Sequence, residues 1–329
     1  MQIGVFCSGG DAPGMNACIR AVVRSALSTG HHVVGINRGY QGLLEEDFFS
    51  VPSGKLLMEL RSVSNILKLG GTILHTSRSE EFRTEAGVKK AAHILRKHRI
   101  DALIPIGGDG TFHGTVDLAR YWEGQIIGCP GTIDNDLLGT DFTIGFATAV
   151  STAVDAVDKL RDTAESHERL FLVEVMGRHS GYIALYTALA GGAEVVALPE
   201  SPTDISQIVH DLRLLKARGK KSIMIVVAEG DELGNAEVLN EKLLASGCPF
   251  QTRVVKLGHL QRGGSPVVAD RILASRLGDF AVKALAAGKN GAMAGEIRGK
   301  PALTPFPETY AQHRAVPQDF LDLLATLAS

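Results

Sequence analysis

Two doubly wound α/β lobes, with an active site in the cleft between them, are the architecture this sequence predicts, and three observations carry that expectation. Strand-length apolar runs alternate with helix-length amphipathic runs along most of the chain, the pattern of parallel sheets covered on both faces. The chain has 329 residues, more than one hydrophobic core ordinarily serves. Glycine-rich turns follow strand-like runs at Ser8 to Gly14, Gly107 to Thr111 and Gly258 to Gly264, and ligands of open α/β sheets bind at such strand ends.

Taken in order, Gln2 to Cys7 reads as a strand, and Gly14 to Thr29 as a helix ended by Gly30. Met15, Ile19, Val22, Val23 and Ala26 fall at helical spacing on its buried side. Further strands are read at His32 to Asn37, Asp101 to Ile106, Gln125 to Cys129, Leu170 to Val175, Val195 to Leu198, Ser222 to Ala228 and Thr252 to Leu257. A helix-length stretch joins the strands ending at Ile106 and Cys129, as a parallel crossover requires. Helices fit Ala147 to Thr163, Gly181 to Ala190, Asp204 to Ala217, Asn235 to Ala245 and Val268 to Ala287. Segment 45 to 60 is poorly patterned and reads as an irregular surface excursion. Beyond Asn290 the pattern weakens to a peripheral strand or two and a closing helix near Pro317 to Leu327. The first lobe takes back a segment from the C-terminal third, giving 1–144 with 257–306 and 145–256 with 307–329.

Composition narrows the partners. The 34 basic and 36 acidic residues nearly cancel, so there is no electrostatic footprint for nucleic acid or an anionic membrane. An anionic ligand must then be met by local arginines. No signal peptide or span-length apolar run is read, and the expected location is the cytoplasm. Cys7, Cys18, Cys129 and Cys248 fit no zinc spacing and read as small buried hydrophobes in a reducing compartment.

Four motifs carry chemistry. Ser8-Gly9-Gly10-Asp11-Ala12-Pro13-Gly14 links a strand to a helix, where backbone N–H groups can approach phosphate oxygens; it lacks the Lys-Ser/Thr ending of a P-loop. Gly107-Gly108-Asp109-Gly110-Thr111 repeats the device with a carboxylate at its apex, a hard ligand suited to Mg²⁺ beside phosphates. In Thr132-Ile133-Asp134-Asn135-Asp136, an extended backbone would point Asp134 and Asp136 to one face, where one carboxylate accepts a proton from an attacking hydroxyl. Gly258-His259-Leu260-Gln261-Arg262-Gly263-Gly264 adds an arginine at another strand end, and Arg78, Arg169, Arg178 and Arg253 supply further phosphate-binding forks.

Together these strings, with Met15-Asn16, Met176-Gly177-Arg178 and Ser265-Pro266 in family order from residue 2 to about residue 287, resemble bacterial ATP-dependent 6-phosphofructokinases. The resemblance implies transfer of the γ-phosphoryl of ATP to the 1-hydroxyl of fructose 6-phosphate, with Mg²⁺ neutralising the phosphates. It implies Asp134 as general base, with Thr132, Arg178 and Asp136 as its catalytic company. Asp109 matches the Mg²⁺-associated carboxylate, and Gly10, Arg78, Ser79, Gly108, Gly110 and Thr111 match nucleotide-phosphate contacts. Thr132, Ile133, Met176, Gly177, Arg178, Glu229, His259, Leu260, Gln261 and Arg262 match the sugar-phosphate site. Arg169 and Arg253 match arginines that reach the 6-phosphate from a neighbouring subunit, which implies a homo-oligomer, usually a tetramer, with shared active sites. The first lobe would bind nucleotide and the second fructose 6-phosphate.

Pyrophosphate-using relatives carry Asp and Lys where this chain has Gly110 and Gly131, so both glycines are expected to leave room for the rest of a nucleotide. Arg20, Arg24, Arg61, Arg161, Gly192, Glu194 and Lys220 match an effector pocket for ADP or phosphoenolpyruvate. Arg218 stands there for a usual Lys, Asn65 where a carboxylate is common, and Glu45 to Glu59 is longer than the familiar bacterial pattern. The competing readings are a pyrophosphate-dependent phosphofructokinase, a kinase of another substrate sharing only the GGDGT string, and a non-catalytic sugar-phosphate-binding homologue.

Overall fold

A computed structural model describes residues 1–50, 54 and 56–328. Part of the expected 45 to 60 excursion (51–53 and 55), and residue 329, therefore lie outside the described residues. β1 (Gln2–Cys7), α1 (Met15–Ser28), β2 (His32–Gly35), α2 (Gly39–Leu44), α3 (Glu85–Lys97), β3 (Ala102–Gly107), α4 (Asp109–Leu118), β4 (Gln125–Thr132) and the short β5 (Ile144–Gly145) come first. They are followed by α5 (Phe146–His167), β6 (Arg169–Val175), α6 (Tyr182–Gly191), β7 (Val195–Ala197), α7 (Ile205–Ala217), β8 (Ile223–Ala228), α8 (Ala236–Ala245) and β9 (Gln251–Lys256). The chain closes with α9 (Val268–Ala286), β10 (Ala292–Ile297), β11 (Lys300–Pro305), α10 (Phe306–Thr309) and α11 (Gln318–Leu327).

The residues group into two compact units. One comprises Met1–Ile133, Leu137–Ala147 and Arg262–His313; the other comprises Asp134–Asp136, Thr148–Gln261 and Arg314–Ser329. The first holds a seven-stranded sheet of order β11-β10-β4-β3-β1-β2, with β5 paired to β4 off that path. All its pairs are parallel except β10 with β11. The second holds a four-stranded parallel sheet of order β7-β8-β6-β9.

Local sequence explains the elements. Met15, Ile19, Val22, Val23 and Ala26 are all 0% exposed along α1, so its expected apolar stripe is its core face. Strand β8 is buried at every residue, as a central parallel strand is. Asp204 caps α7 by accepting from the N–H groups of Ser206 and Gln207 at 2.8 and 3.0 Å, and Asn235 caps α8 through Val238 N at 3.1 Å. The sequence reading left out α3, although Thr84 caps it through Gly87 N at 3.1 Å and Val88, Ala91 and Leu95 form its buried face. It also left out α2. Among the described residues no helix is long and apolar enough to cross a membrane.

Cys7, Cys18 and Cys129 are buried and Cys248 is half-buried. Burial pushes the Cys7 thiol up to about 12, against a hydrogen bond from Thr72 that lowers it. The Cys18 thiol is raised by its hydrogen bond to Cys129 and by burial. Because the thiolate is the nucleophile, alkylation of the native chain should modify Cys248 alone, as read by mass spectrometry. Modification of Cys7, Cys18 or Cys129 while the fold is retained would contradict this account.

Candidate active site

In the first unit the ends of β1, β3 and β4 lie side by side, with Cys7 in register with Ile106 and Gly107 with Pro130. The two glycine turns that follow β1 and β3 are tied together. Ser8 N donates to Ile106 O at 3.1 Å, and the buried Thr111 hydroxyl donates back to Ser8 O at 3.1 Å. Asp109 opens α4, exposed, with Oδ1 accepting from Gly110 N at 2.6 Å; a carboxylate in a first helical turn is favoured by the helix dipole. Among the described residues no three His, Cys, Asp or Glu side chains gather as a metal site. Asp109 is the carboxylate that would hold a Mg²⁺ ion beside substrate phosphates, and a single exposed carboxylate fits the way Mg²⁺ binds with phosphates and water.

Gly10 lies beneath Arg262. A Cβ on Gly10 would sit 2.5 Å from Arg262 Nη1, and that nitrogen donates to Asp11 O at 3.0 Å. Arg78 is exposed, whereas the Ser79 hydroxyl donates to Gln41 Oε1 at 2.7 Å and accepts from Phe82 N at 3.2 Å. Thr132 ends β4, buried, and its carbonyl accepts from the Thr143 hydroxyl at 2.7 Å. The Ile133 side chain is 0% exposed, so only its backbone can meet a ligand. Near Gly110 an added Cβ meets nothing within 4 Å, which is the expected open space. Gly131 departs from expectation: a Cβ there would lie 2.8 Å from Ile106 Cγ2 and 3.0 Å from Met15 Cε, so packing against β3 and α1 accounts for this glycine.

In the second unit Asp134 is 3% exposed, with Arg178 Nε 3.9 Å from its Oδ2. The turn after β6 is held by side chains. Met176 N donates to Gln261 Oε1 at 2.8 Å, while Gly177 N and Arg178 N donate to Glu229 Oε1 at 3.2 and 2.9 Å. Gln261 is fully buried, and its Nε2 has no partner among the described residues. His259 and Leu260 are exposed, Leu260 at 71%. Arg169 opens β6 and Arg253 lies exposed on the edge strand β9, donating to Thr252 O at 2.8 Å.

The effector-type residues divide between the units. Arg20 and Arg24 on α1 and Arg61 in a 3₁₀ turn (Leu60–Val63) packed against α1 belong to the first. In the second, Glu194 is 7% exposed and accepts from Met224 N at 2.7 Å, with Lys220 Nζ at 2.5 Å and Arg161 Nη1 at 3.8 Å from its other oxygen. Arg161 also donates to the carbonyls of Gly191 and Gly192 at 2.7 Å each. Arg218 and Glu194 both line an open groove of about 440 Å³ beside Leu215, Leu321 and Leu324.

One geometric expectation fails. Asn135 has φ 51°, a left-handed conformation, so the stretch from Asp134 to Asp136 is not extended and the same-face rule for alternate residues does not apply. Asp134 is buried and Asp136 half-buried. Sequence reading also missed residues that support the site. The Ser180 hydroxyl donates to Asp134 O at 2.7 Å, and Arg314 Nη1 lies 3.5 Å from Asn135 O while stacking 4.8 Å over the Tyr182 ring. Ser180 follows Met176-Gly177-Arg178 closely enough to have been flagged; nothing in the sequence points to Arg314.

A family model described as phosphofructokinase matches residues 2–285. The chain is 52% identical over 327 residues to "ATP-dependent 6-phosphofructokinase 1" of Thermus thermophilus, covering 99% of each. It is 50% identical over 326 residues to the ATP-dependent 6-phosphofructokinase of Clostridioides difficile, again covering 99% of each. Its fold matches that of phosphofructokinase from Saccharomyces cerevisiae with a TM-score of 0.84 and 35% identity, over 93% of this chain and 45% of the yeast one. The pyrophosphate-dependent phosphofructokinase of Marinobacter aquaeolei shares the fold, with a TM-score of 0.85 over 100% of this chain and 92% of that one, but only 21% identity. The chain belongs to the phosphofructokinase family.

Proposed function

We propose that this protein phosphorylates fructose 6-phosphate at its 1-hydroxyl, using ATP and Mg²⁺, to give fructose 1,6-bisphosphate in glycolysis, and that it does so in the cytoplasm. The observation that carries the reading is Asp134, buried at 3% exposure with the Arg178 cation 3.9 Å away, following β4, whose neighbour β3 ends in the Gly107 to Thr111 turn. Asp134 takes the proton of the attacking hydroxyl as general base. Arg178 is kept near it by the Glu229-held turn and stabilises charge on the transferring group, with Thr132 and Asp136 nearby in sequence. Phosphoryl transfer needs little covalent work from the protein and much positioning. A bound Mg²⁺ would be held at Asp109 and would supply charge neutralisation on the phosphates.

The nucleotide phosphates are met by Gly10, Arg78, Ser79, Gly108, Gly110 and Thr111, and the sugar phosphate by Ile133, Met176, Gly177, Glu229, His259, Leu260, Gln261 and Arg262. Arg169 and Arg253 serve the 6-phosphate of a neighbouring copy in a homotetramer. Arg161, Gly192, Glu194, Arg218 and Lys220, with Arg20, Arg24 and Arg61, form an effector site for a phosphate-bearing metabolite.

The test is formation of fructose 1,6-bisphosphate with ATP and pyrophosphate compared side by side: turnover with ATP and none with pyrophosphate is expected, and the reverse would overturn the donor assignment. The donor reading also yields a paired prediction. Gly110→Asp should fold with stability changed by no more than about 0.5 kcal/mol, since its Cβ enters open space, yet raise KM for ATP on the order of 10-fold by placing a second carboxylate beside Asp109. Gly131→Ala should cost about 1–3 kcal/mol by displacing Ile106. Thermal denaturation and ATP kinetics check both; an unstable Gly110→Asp or an unaffected Gly131→Ala would contradict the geometry.

A further inference from the structure

We infer that Asn16 is a positioning residue for the loop that delivers Arg78 to the nucleotide, an inference that rests on reading Arg78 as a phosphate contact. Asn16 is 1% exposed on the first turn of α1, the helix that starts from the Ser8 to Gly14 turn. Its amide serves three backbone groups of one loop. Nδ2 donates to Leu69 O at 3.2 Å and Gly70 O at 3.1 Å, and Oδ1 accepts from Ile73 N at 2.8 Å. Only a side chain with two donor hydrogens and an acceptor in one plane meets all three, so Asp in this place would face two carbonyl oxygens.

The loop has few bonds of its own. Residues 68 to 80 contain no α-helix or strand, and His75 is held at φ 53°. The loop is fixed by attachment to its surroundings: at the start of α2, Arg38 N donates to Leu74 O at 2.7 Å and the Ser77 hydroxyl donates to Arg38 O at 3.2 Å, and other bonds reach the site's strand end and turns. The Thr76 hydroxyl donates to Gly9 O at 2.8 Å, the Thr72 hydroxyl to Cys7 Sγ at 3.1 Å, and the Ser265 hydroxyl to Lys68 O at 2.6 Å. Gly70 fits against Gly264 so closely that a Cβ on it would lie 2.3 Å from Gly264 O. Asn16 makes more of these bonds than any of the others and comes from inside the core. The first phosphate turn and the Arg78 loop are thus fixed to one another, and the exposed Arg78 side chain projects from a backbone held in place before ATP arrives.

A double-mutant cycle with a parallel exchange measurement tests this. Asn16→Ala should raise KM for ATP on the order of 10-fold and speed amide hydrogen exchange across residues 69 to 77, with little change in the second unit. In an Arg78→Ala background the same substitution should add less than about 2-fold, because the loop no longer carries the contact. An equal effect in both backgrounds, or unchanged exchange in the loop, would overturn the proposal. If Arg78→Ala alone leaves KM for ATP unchanged, the phosphate-contact reading of Arg78 fails and exchange in Asn16→Ala decides the anchor by itself. Should Asn16→Ala not fold, Thr76→Val, which removes only the bond to Gly9 O, carries the same cycle.

Discussion

Asp134→Ala is expected to lower kcat by on the order of 10²–10⁴, the usual share of a general base, while the chain stays folded and still binds fructose 6-phosphate. The structure separates the catalytic from the structural consequence. Asp134 is buried, but the arginine facing it is 45% exposed on its side chain, so removing the carboxylate returns Arg178 to solvent and leaves no buried lone charge. The turn that carries Arg178 is held by Glu229 and Gln261 and does not rest on Asp134 for its shape. Asp134→Asn sharpens the test, since it keeps the volume and loses only the basicity. Both variants should show a thermal shift with fructose 6-phosphate close to that of the parent chain. Turnover near the parent rate in either variant would remove Asp134 from its role, and loss of both binding and turnover would point to a structural role.

How much of this was legible beforehand depends on which force fixed each feature. Strand β1 and helix α1 follow from periodicity and punctuation alone: Gln2 to Cys7 is an apolar run, and Met15 to Ala26 repeats at helical spacing before Gly30. The parallel pairing of β3 and β4 was also readable, because a helix-length crossover between two buried strands allows little else. Helix α3 escaped although its cap at Thr84 and its Val88, Ala91 and Leu95 stripe were visible; that signal was present and passed over. Others were not there to be read. The left-handed Asn135 is a conformation that Asn tolerates but does not announce, and it removed the shared face of Asp134 and Asp136.

Gly131 shows the same limit from the other side. A sequence reports that a side chain is missing, but not which neighbour fills the space; here Ile106 and Met15 fill it, while the space at Gly110 stays open. The bonds from Ser180 to Asp134 and from Asn16 to the 69–73 segment are likewise tertiary facts, made across 46 and between 53 and 57 positions of chain. Composition and spacing carry no trace of them, though the motifs that contain Asn16 and adjoin Ser180 were singled out for other reasons.

Gly230→Ala should be the most damaging single methyl group in the second unit. β6 and β8 run parallel with Val175 in register with Ala228, so the turns that leave them meet backbone to backbone. A Cβ on Gly230 would lie 1.6 Å from Arg178 O and 2.7 Å from Arg178 C. No flexible side chain can give way, and relief requires moving one turn by over about 1 Å, a shift that ordinarily costs about 1–3 kcal/mol. The same movement disturbs the bonds from Gly177 N and Arg178 N to Glu229 and the placement of the Arg178 guanidinium against Asp134. KM for fructose 6-phosphate should therefore rise, and kcat fall, with a combined loss on the order of 10²-fold in kcat/KM. ATP-dependent thermal stabilisation should persist, since Gly10, Gly108 and Thr111 belong to the other unit. A folded Gly230→Ala protein with unchanged sugar-phosphate kinetics would mean that the Arg178 turn does not need the position it occupies here.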